Sequence, residues 1–128
     1  MRILLVQTDR DSTAIFTTAL EAAGHDVTTT DSGDQAIRLA LEHRPDLIMT
    51  ELVLPVVDGW QILQVLRTYG PLRETPILTL TSHVAIEDRA RALELGFAEY
   101  LTLPLDPLAL VEAVERIADE RREHGAPT

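Results

Sequence analysis

Side chains with oxygen donors or acceptors follow three apolar runs of the sequence, each where a predicted strand ends. Glu51 follows DLIMT, Gln7, Thr8 and Asp9 follow RILLV, and Thr81 ends ILTLT. In an open parallel sheet the carboxyl ends of the strands meet at one crevice, where such folds bind their ligands. Carboxylates at such a crevice serve as metal ligands or nucleophiles. The arrangement therefore raises the question of whether Glu51 performs chemistry there or occupies a place where chemistry has been lost.

The basic residues and the net charge exclude several function classes. All eleven basic residues are arginine, and the chain has neither lysine nor cysteine. This rules out Schiff-base lysines, the phosphate-binding P-loop, disulfides and zinc-thiolate sites. The formal net charge of −10 repels phosphate backbones and anionic lipid, so we expect no direct nucleic-acid binding and no membrane association. No signal peptide or membrane span is recognisable, and we expect a cytoplasmic protein.

Five short β-rich runs that alternate with amphipathic segments must position these side chains. The strands are predicted at 2–6, 26–30, 46–50, 77–81 and 99–103. Helices are predicted at 11–23, after a cap at Asp31 or Ser32, at 59–68, at 86–95 and from Pro107 onward. In the first helix, Ile15 and Leu20 belong to the predicted apolar face. Five βα units of this kind predict an α/β domain over residues 1–120, with a parallel sheet between two helical layers, followed by a polar tail over 121–128.

Four segments carry a resemblance to a known family. RILLV, RPDLIMTELVLPVVDGW, TPILTLTS and DRARALELGFAEYLTLPLDP, with the spacing between them, resemble the CheY-like receiver domain of two-component response regulators. The resemblance implies a doubly wound, flavodoxin-like fold with strand order 2-1-3-4-5. It also implies transfer of a phosphoryl group from a histidine kinase to an aspartate after strand three. An acidic pair after strand one would hold Mg²⁺, and a lysine after strand five would contact the phosphoryl oxygens.

The chain departs from the family pattern at each of these chemical positions. The acidic pair falls on Gln7 and Thr8, the acceptor aspartate on Glu51, and the lysine on Leu103, while Asp9 lies one place beyond the pair. Mg²⁺ requires tight octahedral coordination by hard oxygens, usually including carboxylates. Without that ion and the lysine, little compensates the charge of a transferring phosphoryl group. We therefore expect a degenerate phosphorylation pocket, no enzymatic activity and weak or absent Mg²⁺ binding.

The replacement residues suggest a different use of the same pocket. The Gln7 amide and the hydroxyls of Thr8 and Thr81 can all donate to a carboxylate. One hypothesis is that these donors hold Glu51 in a polar cluster, and the alternative is that Glu51 points into water. Whether Glu51 also imitates a phosphorylated aspartate is left open.

The remaining family features concern the relay to a partner. The resemblance places the relay on Thr81 and Tyr100, and it places Arg89 and Arg91 on the neighbouring partner face. Leu103 is interpreted either as part of an apolar partner surface or as packing over the emptied pocket. The resemblance further implies a cis bond between Leu103 and Pro104. Trp60, the only tryptophan, is expected to be a packing residue near the pocket.

These expectations together describe an atypical receiver that acts as a phosphorylation-independent protein-interaction module in two-component signalling. The expected partner is a histidine kinase, another regulator or an output domain. A homodimer through helix four, strand five and helix five is a further arrangement that the resemblance implies. Two alternatives remain. One is a working Mg²⁺-dependent receiver that uses Glu51 or Asp9, and the other is the N-terminal receiver of a longer DNA-binding regulator.

Overall fold

The computed structural model describes residues 1–82 and 86–124, with residues 86, 87 and 124 described by their backbone alone. Strands and helices alternate along the chain. The elements are β1 (Arg2–Val6), α1 (Arg10–Ala22), β2 (Asp26–Thr30), α2 (Gly33–His43), β3 (Leu47–Glu51), α3 (Gly59–Thr68), a 3-10 turn (Gly70–Leu72), β4 (Ile77–Thr81), α4 (Ile86–Leu95), β5 (Glu99–Thr102) and α5 (Pro107–His124). Among these helices, none is both long and apolar enough to cross a bilayer.

The five strands form one parallel sheet in the order β2-β1-β3-β4-β5, which confirms the predicted topology. Val6 pairs with Thr50 across β1 and β3, and Glu51 pairs with Leu80 across β3 and β4. Because all the strands run in the same direction, this register brings the ends of β1, β3 and β4 to one edge of the sheet. The predicted crevice therefore lies at that edge.

The core consists of two apolar clusters, one on each side of the sheet. Ile3 and Leu5 of β1 belong to a cluster completed by α1 and α5, whereas Leu4 and Val6 belong to a cluster completed by α2, α3 and α4. This follows from the strand geometry, in which successive side chains point to opposite faces. The three-layer architecture predicted from the alternating pattern is thus confirmed.

Three details differ from the sequence-based expectation or extend it. β3 continues to Glu51, so the carboxylate belongs to the last strand residue rather than to the following loop. Ile15 was expected to be in the core, but 52% of its surface is exposed, and Phe16 is buried in its place. α5 includes residues 121–124 of the predicted polar tail, whereas residues 125–128 lie outside the described part. The division at residue 120 stays a prediction.

Candidate functional site

Three hydrogen bonds join Thr8 to the Glu51 carboxylate at the carboxyl edge of the sheet. The backbone amide of Thr8 donates to Glu51 Oε1 at 2.5 Å. The Thr8 hydroxyl lies 2.9 Å from Oε1 and 3.2 Å from Oε2. Glu51 is half-buried, and hydrogen bonds of this kind offset the free energy needed to remove a carboxylate from water. The carboxylate is therefore held by neutral donors rather than turned freely into solvent.

Gln7 does not contribute to this cluster, which corrects the expectation that its amide would donate to Glu51. Its side chain is buried, and Oε1 has no hydrogen-bond partner in the described part of the chain. The backbone amide of Gln7 instead donates to the Thr30 carbonyl, which continues the pairing between β1 and β2. Because side chains alternate along extended backbone, Gln7 and Thr8 cannot both face Glu51.

Asp9 has a structural partner of its own. Its carboxylate accepts a hydrogen bond from the backbone amide of Ser12 at 2.9 Å and caps the N-terminus of α1. Hydrogen bonds from the Ser12 side chain and backbone lower the pKa of the Asp9 carboxyl. This role was missed, although an aspartate directly before a predicted helix is a common N-cap pattern.

Leu103 lies in the wall of a pocket of about 410 Å³ at the same edge. The pocket is lined by Glu51, Val53, Leu80, Thr81, Ser82 and Leu103. Leu103 is half-buried and also packs against the core cluster on the α1 and α5 side. Its bond to Pro104 is cis, which confirms the resemblance-based expectation. Among the described residues that line this pocket, Glu51 is the one that carries a charge.

The loop between β3 and α3 contains a close backbone approach to Glu51 and one strained residue. The Gly59 amide donates to the Leu52 carbonyl at 2.9 Å, and a β-carbon at Gly59 would lie 2.7 Å from the Glu51 carbonyl oxygen. Glycine is therefore required where α3 begins against the end of β3. Within the same loop, Val56 has φ of 67° and is 88% exposed. That left-handed conformation is strained for a β-branched side chain.

The relay residues lie below the surface, and the two arginines lie on it. Thr81 is 5% exposed and Tyr100 is 3% exposed, whereas Arg89 and Arg91 are exposed on α4. Arg89 Nη1 lies 3.4 Å from the Tyr100 carbonyl oxygen. Burial, and then the nearby Asp88 carboxylate, raise the pKa of the Tyr100 phenol. In this conformation, only the arginines of the predicted partner face can contact a partner directly.

The residues at the strand ends do not fit a magnesium site. Both oxygens of Glu51 accept hydrogen bonds from Thr8, and the Asp9 carboxylate is engaged at the α1 cap. The carboxylates of Glu51 and Asp9 therefore bind separate hydrogen-bond partners and are not arranged around one common metal position. Among the described residues, there is no group of three or more histidine, cysteine, aspartate or glutamate side chains that could hold a metal ion. This arrangement of residues therefore gives no support to a chemical step that uses Mg²⁺.

Comparisons with known proteins agree with the fold. Residues 3–115 match the response regulator receiver domain. The chain is 34% identical over 126 residues to the transcriptional regulatory protein HprR of Escherichia coli K12, covering 98% of this chain and 54% of HprR. It is 37% identical over 121 residues to the DNA-binding dual master transcriptional regulator RpaA of Synechocystis, covering 92% of this chain and 50% of RpaA.

A solved structure with a similar fold contains a magnesium ion. The receiver domain of the sensor histidine kinase PA1611 from Pseudomonas aeruginosa superposes with a TM-score of 0.81 and 31% identity, covering 90% of this chain and 94% of that chain. That structure has a magnesium ion coordinated in its active site cleft.

The chain belongs to the response regulator receiver domain family, and its fold and strand order are those of CheY-like receivers. It is therefore a receiver domain of two-component signalling. The chain spans about half the length of the curated relatives described above.

Proposed function

We propose that this receiver domain has lost phosphoacceptor chemistry and acts as a phosphorylation-independent protein-interaction module. The observation that carries the proposal is the engagement of Glu51 by Thr8, at distances of 2.5 and 2.9 Å. In the family pattern, Glu51 takes the place of the acceptor aspartate, and Thr8 takes the place of an acidic residue. A hydrogen-bonded glutamate–threonine pair thus occupies the position where metal and phosphoryl group would meet.

The surroundings of Glu51 add electrostatic support. The place of the lysine is taken by Leu103, an apolar residue that lines the same pocket. An incoming phosphoryl group would meet the Glu51 carboxylate with no cationic side chain among the pocket-lining residues that the structure describes. Transition states of phosphoryl transfer depend on metal ions and cationic groups that neutralise the developing charge. The extra methylene of glutamate also displaces the attacking oxygen, and a displacement of about 1 Å can reduce the rate about a hundredfold.

The test is a phosphorylation challenge with two independent readouts. The protein is titrated with Mg²⁺ and then given beryllofluoride or acetyl phosphate, while Trp60 fluorescence and intact mass are recorded. We expect no saturable Mg²⁺-dependent fluorescence change and no added phosphoryl mass. A saturable response together with a phosphoryl adduct on Glu51 or Asp9 would support the alternative, a working Mg²⁺-dependent receiver.

The protein partner is proposed to dock on the face formed by α4, β5 and α5. Arg89 is exposed there, and Arg116 forms a 2.8 Å ion pair with Glu99 that links α5 to β5. A histidine kinase, another regulator, an output domain or a second copy of the chain could use this face. Sedimentation over a range of concentrations tests the homodimer. We expect association that Arg89→Glu weakens and that Arg38→Glu, on the exposed side of α2, leaves unchanged.

A second proposal follows from the partial coverage of the relatives. The name of RpaA describes a DNA-binding transcriptional regulator, and this chain matches half of it. We propose that the receiver works joined to a DNA-binding output domain. The acidic receiver would then leave DNA contact to the attached domain. Sequencing the surrounding gene and measuring DNA binding of the full product with and without residues 1–120 tests this proposal.

A further inference from the structure

A second cavity, of about 600 Å³, lies between α3 and α4 and is separate from the Glu51 pocket. It is lined by Trp60, Leu63, Gln64, Arg67, Thr68, Asp88, Arg91 and Leu95, none of which lines the Glu51 pocket. We call it the α3–α4 cleft. Its volume falls within the range of about 300–1,000 Å³ that is typical of sites for small organic ligands. The volume therefore favours a small molecule over a protein helix as its occupant.

The walls of the α3–α4 cleft present fixed apolar surface. The Trp60 ring packs edge-on against buried Phe97, with the ring centroids 5.7 Å apart and an interplanar angle of 76°. This contact fixes the orientation of the indole, and Leu95 adds a side chain that is 51% exposed. Covering such surface removes apolar area from water and is favourable. The sequence-based view of Trp60 as a packing residue is incomplete, because the ring also lines this cleft.

The charged groups of the cleft are predominantly cationic, although the protein as a whole carries a net charge of −10. Arg67 is fixed, because its guanidinium donates to the backbone carbonyls of Arg73, Thr75 and Gly96. Asp88 already has an interaction partner. The cleft therefore contains the two guanidinium groups of Arg67 and Arg91 and a single carboxylate, that of Asp88, which already has a partner.

Arg91 is the cation that remains available to a ligand. Its guanidinium carbon lies 5.9 Å from the centre of the Trp60 ring, and the side chain forms no ion pair with any carboxylate that the structure describes. A guanidinium that lies over an aromatic ring at this distance still has N–H donors, and these suit a carboxylate or sulfonate group. Arg91 therefore places an anion-binding group directly beside the apolar wall.

We propose that the α3–α4 cleft binds a small organic anion. Its aromatic or branched apolar body would lie against Trp60 and Leu95, and its carboxylate or sulfonate group would accept hydrogen bonds from Arg91. Binding at this cleft goes beyond the proposed loss of phosphoacceptor chemistry and does not depend on it.

The test uses 1-anilinonaphthalene-8-sulfonate, an aromatic sulfonate whose emission rises in apolar sites. Because Trp60 is the only tryptophan, energy transfer from it to the dye reports that the dye is bound to the protein, and the Arg91 substitution assigns the bound dye to this cleft. We expect saturable binding of one dye per chain. Arg91→Gln should weaken the affinity about tenfold or more, since a hydrogen bond to a charged group contributes on this scale. The matched control Arg38→Gln changes an exposed arginine on α2 and should leave the affinity unchanged.

A neutral dye and a concentration series complete the design. N-phenyl-1-naphthylamine has the same aromatic body without the sulfonate, so it should bind more weakly and should not respond to Arg91→Gln. Circular dichroism verifies that each variant is folded. Equal dye affinities for the Arg91 and Arg38 variants, equally tight binding of the neutral dye, or binding that does not saturate would overturn the proposal. An affinity that falls as protein concentration rises would assign the cleft to a second copy of the chain and would also overturn it.

Discussion

The backbone amide and the hydroxyl of Thr8 both donate to Oε1 of Glu51, at 2.5 and 2.9 Å, and tie the end of β1 to the end of β3. A carboxylate at position 8 would offer no donor from its side chain and would place a second negative charge beside the first. Threonine in place of an acidic residue at position 8 and glutamate in place of the acceptor aspartate at position 51 are therefore compatible with each other at this contact.

This contact predicts that restoring one acidic residue alone is harmful. We expect Thr8→Asp to lower the free energy of unfolding by about 1 kcal/mol or more, because a hydrogen bond is lost and like charges approach. Thr8→Ser, which keeps the hydroxyl, should be nearly neutral. Urea denaturation at pH 7 with and without Mg²⁺ measures both variants. A Thr8→Asp protein as stable as the wild type without Mg²⁺ would contradict this reading of the contact.

Restoring the whole set of chemical residues should restore the reaction. The variant combines Gln7→Asp, Thr8→Asp, Glu51→Asp and Leu103→Lys, which returns the acidic pair, the acceptor and the lysine that the family pattern has. We expect Mg²⁺-dependent addition of a phosphoryl group from acetyl phosphate, detected by intact mass. Glu51→Asp alone should stay unmodified, since it regains neither the other metal ligands nor the cation. Modification of the single variant to the same extent would show that the other three positions are dispensable.

The strained backbone at Val56 predicts a stabilising substitution. Its φ of 67° lies in the left-handed region, which disfavours side chains by roughly 1–2 kcal/mol and is open to glycine. We expect Val56→Gly to raise the free energy of unfolding by about 1 kcal/mol. The matched control is Val53→Gly in the same loop, where φ is not positive and glycine should lower the stability by about 0.4–1 kcal/mol. Thermal and urea denaturation of both variants give the comparison, and a destabilised Val56→Gly protein would refute it.

A close approach between α2 and the β3–α3 loop predicts an intolerant glycine. A β-carbon at Gly33 would lie 1.9 Å from the carbonyl oxygen of Val57, which is a backbone atom rather than the end of a flexible side chain. We expect Gly33→Ala to lower the free energy of unfolding by roughly 1–3 kcal/mol, as overpacking commonly does. A β-carbon at Gly70 would have no neighbouring atom within 4 Å, so Gly70→Ala is the control. Equal stability of the two variants would show that the loop moves aside.

The Asp9 cap predicts a pH-dependent contribution to stability. The pKa of this carboxyl is lowered from 3.8 in the folded state, so the charged form is favoured by folding. The contribution is therefore present above pH 3.8 and is lost as the pH falls through the lower folded-state pKa. We expect Asp9→Ala to be less stable than the wild type at pH 7 and the difference to shrink below pH 3.8. A difference that is constant with pH would show that the carboxylate charge does not contribute to the cap.

The alternation of apolar runs and amphipathic helices was enough to predict the fold. Each predicted strand lies within one residue of its observed bounds at either end, and the parallel order followed from the βα repeat and the family resemblance. The helix starts at Gly59 and Pro107 were also predicted correctly, because turn residues and proline mark them clearly. Local pattern decides these features, so sequence alone carries the information.

The contacts of the site were harder to predict because they depend on side-chain direction and on packing between distant elements. Gln7 and Thr8 are adjacent and both polar, and only the structure shows that Thr8 alone reaches Glu51. The approach of Arg91 on α4 to Trp60 on α3 has no local signal, since it depends on how two helices pack. Ile15 was misplaced because it adjoins Phe16, and a helix can bury only part of such an apolar run.

The three carbonyl contacts of Arg67 have a mechanical consequence. Its guanidinium lies on α3 and binds the Gly96 carbonyl, directly after the C-terminal end of α4, as well as two carbonyls of the loop before β4. That end of α4 is therefore tethered both to α3 and to the loop before β4, so loss of the Arg67 guanidinium would release three connections between separate elements at once.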